Sequence, residues 1–180
     1  MTPFSNHSAA IAWLIEHGRE LLQSISDQNS SAAVRGLAAW QSELLRQQIG
    51  FRRRSRSRFP RPDLWLWTDV SLAQASDHWS ASYKAGLFPI GEPVVDACCG
   101  AGSDLVALAG RGRALGIDAD PALAALAQDN ARVHGFDVPV HATRLPRSTA
   151  RRSAHDGCAS LQPTARPSAA HGPAILGQHN

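Results

Sequence analysis

The chain has 180 residues, a formal net charge of +3 and 43% apolar residues. That apolar share supports a packed core and excludes disorder throughout, and the length suits one ordinary domain or a small helical domain joined to an incomplete larger one. No apolar run approaches the roughly 20 residues of a membrane span. Met1 to His7 is neither basic nor followed by an unbroken apolar stretch, so no secretory signal is read and a cytoplasmic location is expected. Cys98 and Cys99 are adjacent and Cys158 is remote, which gives neither a disulfide framework nor zinc-ligand spacing.

Residues 1–50 predict a helical hairpin. Ile11, Leu14, Ile15, Leu21, Leu22 and Ile25 recur at helical spacing, with Ser8 suited to the N-cap. Asp27 to Ser31 reads as a polar turn. A second helix follows with Val34, Leu37, Leu44, Leu45 and Ile49 near one face; Trp40 is placed to pack on the first helix, and Gly50 suits the end. Two helices alone bury too little apolar surface, so the hairpin is expected to dock on the rest of the chain.

Residues 51–63 read as an arginine-rich linker. Arg52, Arg53, Arg54, Arg56, Arg58 and Arg61 fall within ten positions. Two readings stand: a solvated connection, or a phosphate-binding run that makes RNA a candidate partner. Leu64-Trp65-Leu66-Trp67 is strand-like, either core or an aromatic platform for bases. Residues 71–86 predict one helix ended by Gly86.

From Pro93 the pattern alternates. Pro93 to Asp96 is a short buried strand, Ala97 to Gly102 a loop of small residues, and Asp104 to Ala109 a helix broken by Gly110 and Gly112. Ala114 to Asp118 is a second strand. Pro121 opens a helix capped by Asp120 and stopped at Gly135, and Val138 to His141 is a third strand. Strand-helix repetition of this kind builds a parallel sheet. The fold class is therefore α/β: a partial Rossmann-like parallel sheet of about three core strands over residues 64–142, preceded by the hairpin. Residues 143–180 hold no sustained pattern and are rich in Arg, Ser, Ala, Pro, Gly and His, so a disordered tail is expected. The abrupt change of composition points to a truncated or frame-shifted continuation.

The chemistry-bearing string is Val94 to Asp104. A carboxylate, Asp96, ends a strand; Gly100 and Gly102 let a ligand approach the backbone; helix amides follow. Asp118 comes 22 positions after Asp96, near the ~20-residue spacing at which an acidic side chain reaches a bound ribose. A dinucleotide fingerprint requires a third glycine at 105, where the chain has Leu105. That argues against a nicotinamide-dependent oxidoreductase. Asp96 suits an ammonium group instead.

Asp-x-Cys-Cys-Gly-x-Gly at 96–102, followed by Gly-Ile-Asp-x-Asp-Pro at 116–121, resembles motif I and the acidic loop of class I S-adenosylmethionine-dependent methyltransferases. Trp67-Thr68, Ser71 to Ser76 and Tyr83-Lys84-Ala85 are similar to the bacterial branch that carries a THUMP-like C-terminal domain. The resemblance implies that Asp96, Cys98, Gly100, Ala101, Gly102 and Asp104 surround S-adenosylmethionine. It implies that Asp118 holds the ribose hydroxyls and that Ala119 lies beside the adenine. Asn130 is either a functional amide or a packing one.

The chain also departs from that family. Thr143 stands where an acidic residue usually follows the third strand. Neither an Asp-Pro-Pro or Asn-Pro-Pro signature nor the THUMP-like domain is found between Thr143 and Asn180. No catalytic residue is therefore assigned. The expectation is the cofactor-binding half of a methyltransferase acting on RNA; the alternative is a non-catalytic remnant that binds cofactor weakly, or nucleic acid through the Arg52–Arg61 run.

Overall fold

The structure is a computed structural model that describes residues 7–26, 35–145 and 160–161. The first hairpin arm is α1 (His7–Trp13), a π-helical turn (Leu14–Gly18) and α2 (Arg19–Ser26). Gly18 permits the wide turn, because a Cβ there would stand 2.5 Å from Leu14 Cδ1. Ser8, the expected cap, lies inside α1. The turn expected at Asp27 to Ser31, and Val34, fall outside the described residues.

The second arm, α3 (Ala39–Ser55), starts later than its apolar pattern and ends five residues beyond Gly50. The side chain of Gln41 accepts from the Ala38 N–H at its start. Phe51 explains the extension, since it continues the buried face of Leu44, Leu45 and Gln48 and outweighs the modest helix penalty of Gly50. The first part of the arginine-rich segment is thus helix rather than linker. Trp13 and Trp40 meet edge to face, 5.4 Å between centroids.

Leu64 to Trp67 is not a strand. A 3₁₀ turn (Pro62–Leu64) leads into an extended segment that joins no sheet. Its buried backbone is paired by side chains instead. Gln48 accepts from the Trp67 N–H (3.0 Å) and donates to its carbonyl (2.6 Å); Asn130 does the same for Leu66, at 3.0 Å each. Trp65 and Trp67 stack at 4.9 Å with almost no exposed surface, so the segment serves as core.

The expected single helix at 71–86 is two helices, α4 (Asp69–Gln74) and α5 (His78–Gly86). Each has its own cap: Thr68 accepts from the Ser71 N–H and Asp77 from the Ser80 N–H. The hydrogen bonds from Ser80 hold the Asp77 carboxyl below its ordinary pKa.

Then come β1 (Val94–Asp96), α6 (Ser103–Ala109), β2 (Ala114–Asp118), α7 (Pro121–Val133) and β3 (Val140–Ala142), close to the predicted order and bounds. β1, β2 and β3 are parallel neighbours, with Asp96 beside Gly116 and Asp118 beside Ala142. The two residues β4 (Ser160–Leu161) pair antiparallel with β1, Ser160 beside Asp96. They are regular structure inside the tail read as disordered; 146–159 and 162–180 lie outside the described residues.

One face of the sheet is sealed by α6 and α7 through Cys99, Leu105, Ala127, Ala131 and Val138. Gly116 makes this close packing possible: a Cβ on it would stand 2.9 Å from Leu105 Cδ2. The alternate residues Val95, Leu115 and Ile117 are only half-buried.

The hairpin does dock. Ile11, Leu14, Leu22, Leu44 and Leu45 share one core with Trp65, Leu66, Trp67, Ala101, Ala122 and Leu126. Arg19 locks the junction, donating to Asp129 Oδ2 through Nε at 2.7 Å and to Leu64 O at 2.5 Å. Burial lowers the Arg19 pKa from its ordinary value, and Asp129 opposes that shift.

Candidate functional site

The loop between β1 and α6 is shaped by two left-handed glycines, Gly100 (φ +55°) and Gly102 (φ +89°). Gly102 is also hemmed in, for a Cβ there would lie 3.3 Å from the Ala127 backbone. Around Gly100 the space is open, with nothing among the described residues within 4 Å of its Cβ position.

Asp118 lies against this loop. Its Oδ2 accepts from the Gly100 N–H and its Oδ1 from the Asp120 N–H, both at 2.9 Å. The carboxylate is therefore fixed in orientation, and each oxygen retains a lone pair for a further donor. Asp120 caps α7 by accepting from the Ala122 N–H at 2.8 Å. Ala119 is exposed in the same turn. Asp96 is buried at the end of the neighbouring strand. Thr143 N–H extends the sheet by donating to Asp118 O at 2.8 Å.

The sequence-predicted residues divide into two sets. Gly100, Asp118 and Ala119 gather at the carboxyl ends of the strands with Asp96, and exposed Cys98 lies in the same loop. Ala101 turns into the core, and Gly102 backs onto α7. Asp104 Oδ2 accepts from Lys84 and Ser76 at 3.1 Å each, so its charge is engaged by α5.

Asn130 proves to be a buried clip. Besides Leu66, it donates to Ala101 O at 2.9 Å and accepts from Arg19 at 3.0 Å, which ties the glycine loop to the tryptophan segment. Gln48 and Ser76 were not anticipated. A signal for Gln48 existed, since it occupies a core-facing position one turn from Leu44 and Leu45.

The arginine run is not a uniform strip. Arg54 pairs with Asp69 at 2.7 Å, and Arg58 donates to Leu72 O and Ala75 O. Arg52 is half-buried; burial, and then the charge of Arg19, lower its pKa from the ordinary value. Arg53, Arg56 and Arg61 are exposed.

Comparison with solved structures gives the setting for this geometry. A crystal structure described as that of a "putative methyltransferase from Porphyromonas gingivalis W83" superposes with a TM-score of 0.56 at 21% identity, over 76% of this chain. The fold is methyltransferase-like. The match spans 35% of that protein's chain, about a third of its length. No protein-family profile matches the sequence, and no curated protein does.

In such a fold, ligands bind beyond the carboxyl ends of the strands, where Asp118 and Gly100 meet. A separate cleft of about 500 Å³ lies elsewhere, between α5 and α6, with walls that include Phe59, Trp65 and Val106. Strand-end geometry rather than cleft size locates the candidate cofactor site. Among the described residues, no His/Cys/Asp/Glu group could hold a metal ion, and no helix is long and apolar enough to cross a membrane.

Proposed function

We propose that this chain binds S-adenosylmethionine at the ends of β1 and β2 and belongs to an enzyme that methylates RNA. The observation that carries the reading is the mutual fixing of Asp118 and the Gly100 amide beside open space. A ribose diol needs two acceptors held at a fixed angle, and Asp118 offers both oxygens without freedom to rotate. Asp96 suits the cofactor's amino group, as a buried carboxylate one strand away. Gly100 has no side chain to obstruct the approach, and exposed Ala119 leaves room for the adenine. When bound, the cofactor supplies an electrophilic methyl group; this chain's own residues bind and orient it. The fold carries no substrate by itself. RNA rests on the sequence resemblance and on Arg53, Arg56 and Arg61, which remain open to phosphates.

The non-catalytic reading has one observation in its favour. Ser160–Leu161 pairs on the free edge of β1 beside Asp96, where another parallel strand would otherwise extend the sheet.

Isothermal titration with S-adenosylhomocysteine tests the cofactor reading. The parent should give saturable heat, Asp118→Asn should weaken it, and Asp118→Ala should remove it while circular dichroism stays unchanged. A folded parent that gives no heat would overturn the reading.

A further inference from the structure

The cleft between α5 and α6 has no role in the cofactor site. It exists because small residues face each other there: Ala81 and Ala85 on α5, Ala107 on α6 and Gly110 just after it. Its floor is aromatic, with Phe59 and Trp65 5.2 Å apart. Its polar lining is cationic or neutral. Arg61, Arg111, His78 and His134 contribute, and no carboxylate does. Arg111 Nη2 donates to Phe88 O at 3.1 Å, while its buried Nε–H meets no acceptor among the described residues.

A second observation lies beside it. Trp79 is 79% exposed and Tyr83 72% exposed, one helical turn apart on α5. With Leu87, 64% exposed one turn further along, they make an open apolar stripe rather than isolated exposed residues. At 100° per residue Trp79 stands about 60° from Ser82, which lines the cleft, and Tyr83 about 100° from it, on the side away from the cleft. The basic segment reaches the same end of α5, where the His78 N–H donates to Arg58 O at 2.9 Å. Lys84 lies on another side of the helix and is engaged by Asp104.

We propose that the α5–α6 cleft and the Trp79–Tyr83 stripe form a track for single-stranded RNA. One base enters the cleft, neighbouring bases stack on Trp79 and Tyr83, and phosphates meet Arg61 and Arg56. Apolar surfaces beside cations, in a cleft whose described lining holds no carboxylate, match a strand of bases and phosphates. The track takes the identity of its polymer from the RNA reading above but does not depend on cofactor binding. It differs from the arginine run, in which Arg54 and Arg58 are already engaged.

The test is fluorescence anisotropy of a labelled mixed-sequence 12-nucleotide RNA with the full chain across a salt series. Trp79→Ala and Tyr83→Ala should each weaken binding by about tenfold. Both side chains are exposed, so folding should be unaffected; circular dichroism and S-adenosylhomocysteine titration check this. Arg61→Ser should lower the magnitude of the salt slope by about 0.7. Ala107→Leu, which fills the cleft, should also weaken binding. If the parent binds RNA and the double Trp79→Ala/Tyr83→Ala variant binds equally well, the track is refuted while the RNA reading survives. If duplex RNA competes as well as single-stranded RNA, the stacking account is refuted. A folded parent that binds no RNA overturns both. Loss of cofactor binding in Asp118→Ala, with RNA binding intact, would leave the track standing.

Discussion

Asn130 provides the sharpest test of how the candidate site is supported. It has no exposed surface, and its amide serves three buried backbone groups: the Leu66 N–H, the Leu66 carbonyl and the Ala101 carbonyl. Asn130→Ala strands all three. Each buried group left unsatisfied costs about 1–3 kcal/mol. Water entering the small void offsets part of this, so the expected loss is roughly 3–5 kcal/mol, a large share of the ~5–15 kcal/mol typical of a domain. Gln48 is the control, because among the described residues its side chain pairs only with Trp67, next to Leu66. Gln48→Ala strands two groups and should cost about 2–4 kcal/mol. Urea unfolding followed by tryptophan fluorescence reads both, with Trp65 and Trp67 beside the clips. The two variants should part company on ligand. Asn130→Ala frees the glycine loop and should weaken S-adenosylhomocysteine by tenfold or more, whereas Gln48→Ala leaves that loop alone. A loss below about 1 kcal/mol for Asn130→Ala, or equal effects of the two variants on ligand affinity, would refute the reasoning.

Three further outcomes follow from the same packing. Gly102→Ala forces a side chain into a left-handed conformation and within 3.3 Å of α7, and should destabilise by about 1–3 kcal/mol in thermal melts. Arg19→Met leaves the buried Asp129 with only the exposed Arg132 as an ion partner; a loss of about 3 kcal/mol is expected in urea unfolding, largely recovered by Arg19→Met/Asp129→Leu. His134 is held below its ordinary pKa of 6.5, chiefly by burial, while its Nδ1 meets Asn130 O at 2.8 Å. The unfolded chain then takes up the proton first as pH falls, so stability should be full above pH 6.5 and decline below it, and His134→Gln should flatten that part of the Tm-against-pH curve.

The sequence alone determined the β1–α6–β2–α7–β3 order, with bounds within two residues. Those elements are set by local signals: strands a few residues long, a proline and an aspartate at the start of α7, and glycines with no competitor in the loop. It also marked Asp118 through its distance from Asp96, because that spacing is the length of a strand-helix-strand unit. What it could not supply was anything decided by burial between distant segments. Gly50 looked like a stop, yet Phe51 found a core and the helix continued. Leu64 to Trp67 had the composition of a strand, but its partners are side-chain amides from α3 and α7, 19 and 64 positions away. Residues 71–86 read as one helix, but Asp77 caps a second helix inside the segment. Among the expected site residues, Ala101, Gly102 and Asp104 share a motif with Gly100, but tertiary packing turned them toward the core, α7 and Lys84. Periodicity and caps act over one turn and are written locally. The pairing of buried polar groups depends on which segments meet, and only the folded chain decides that.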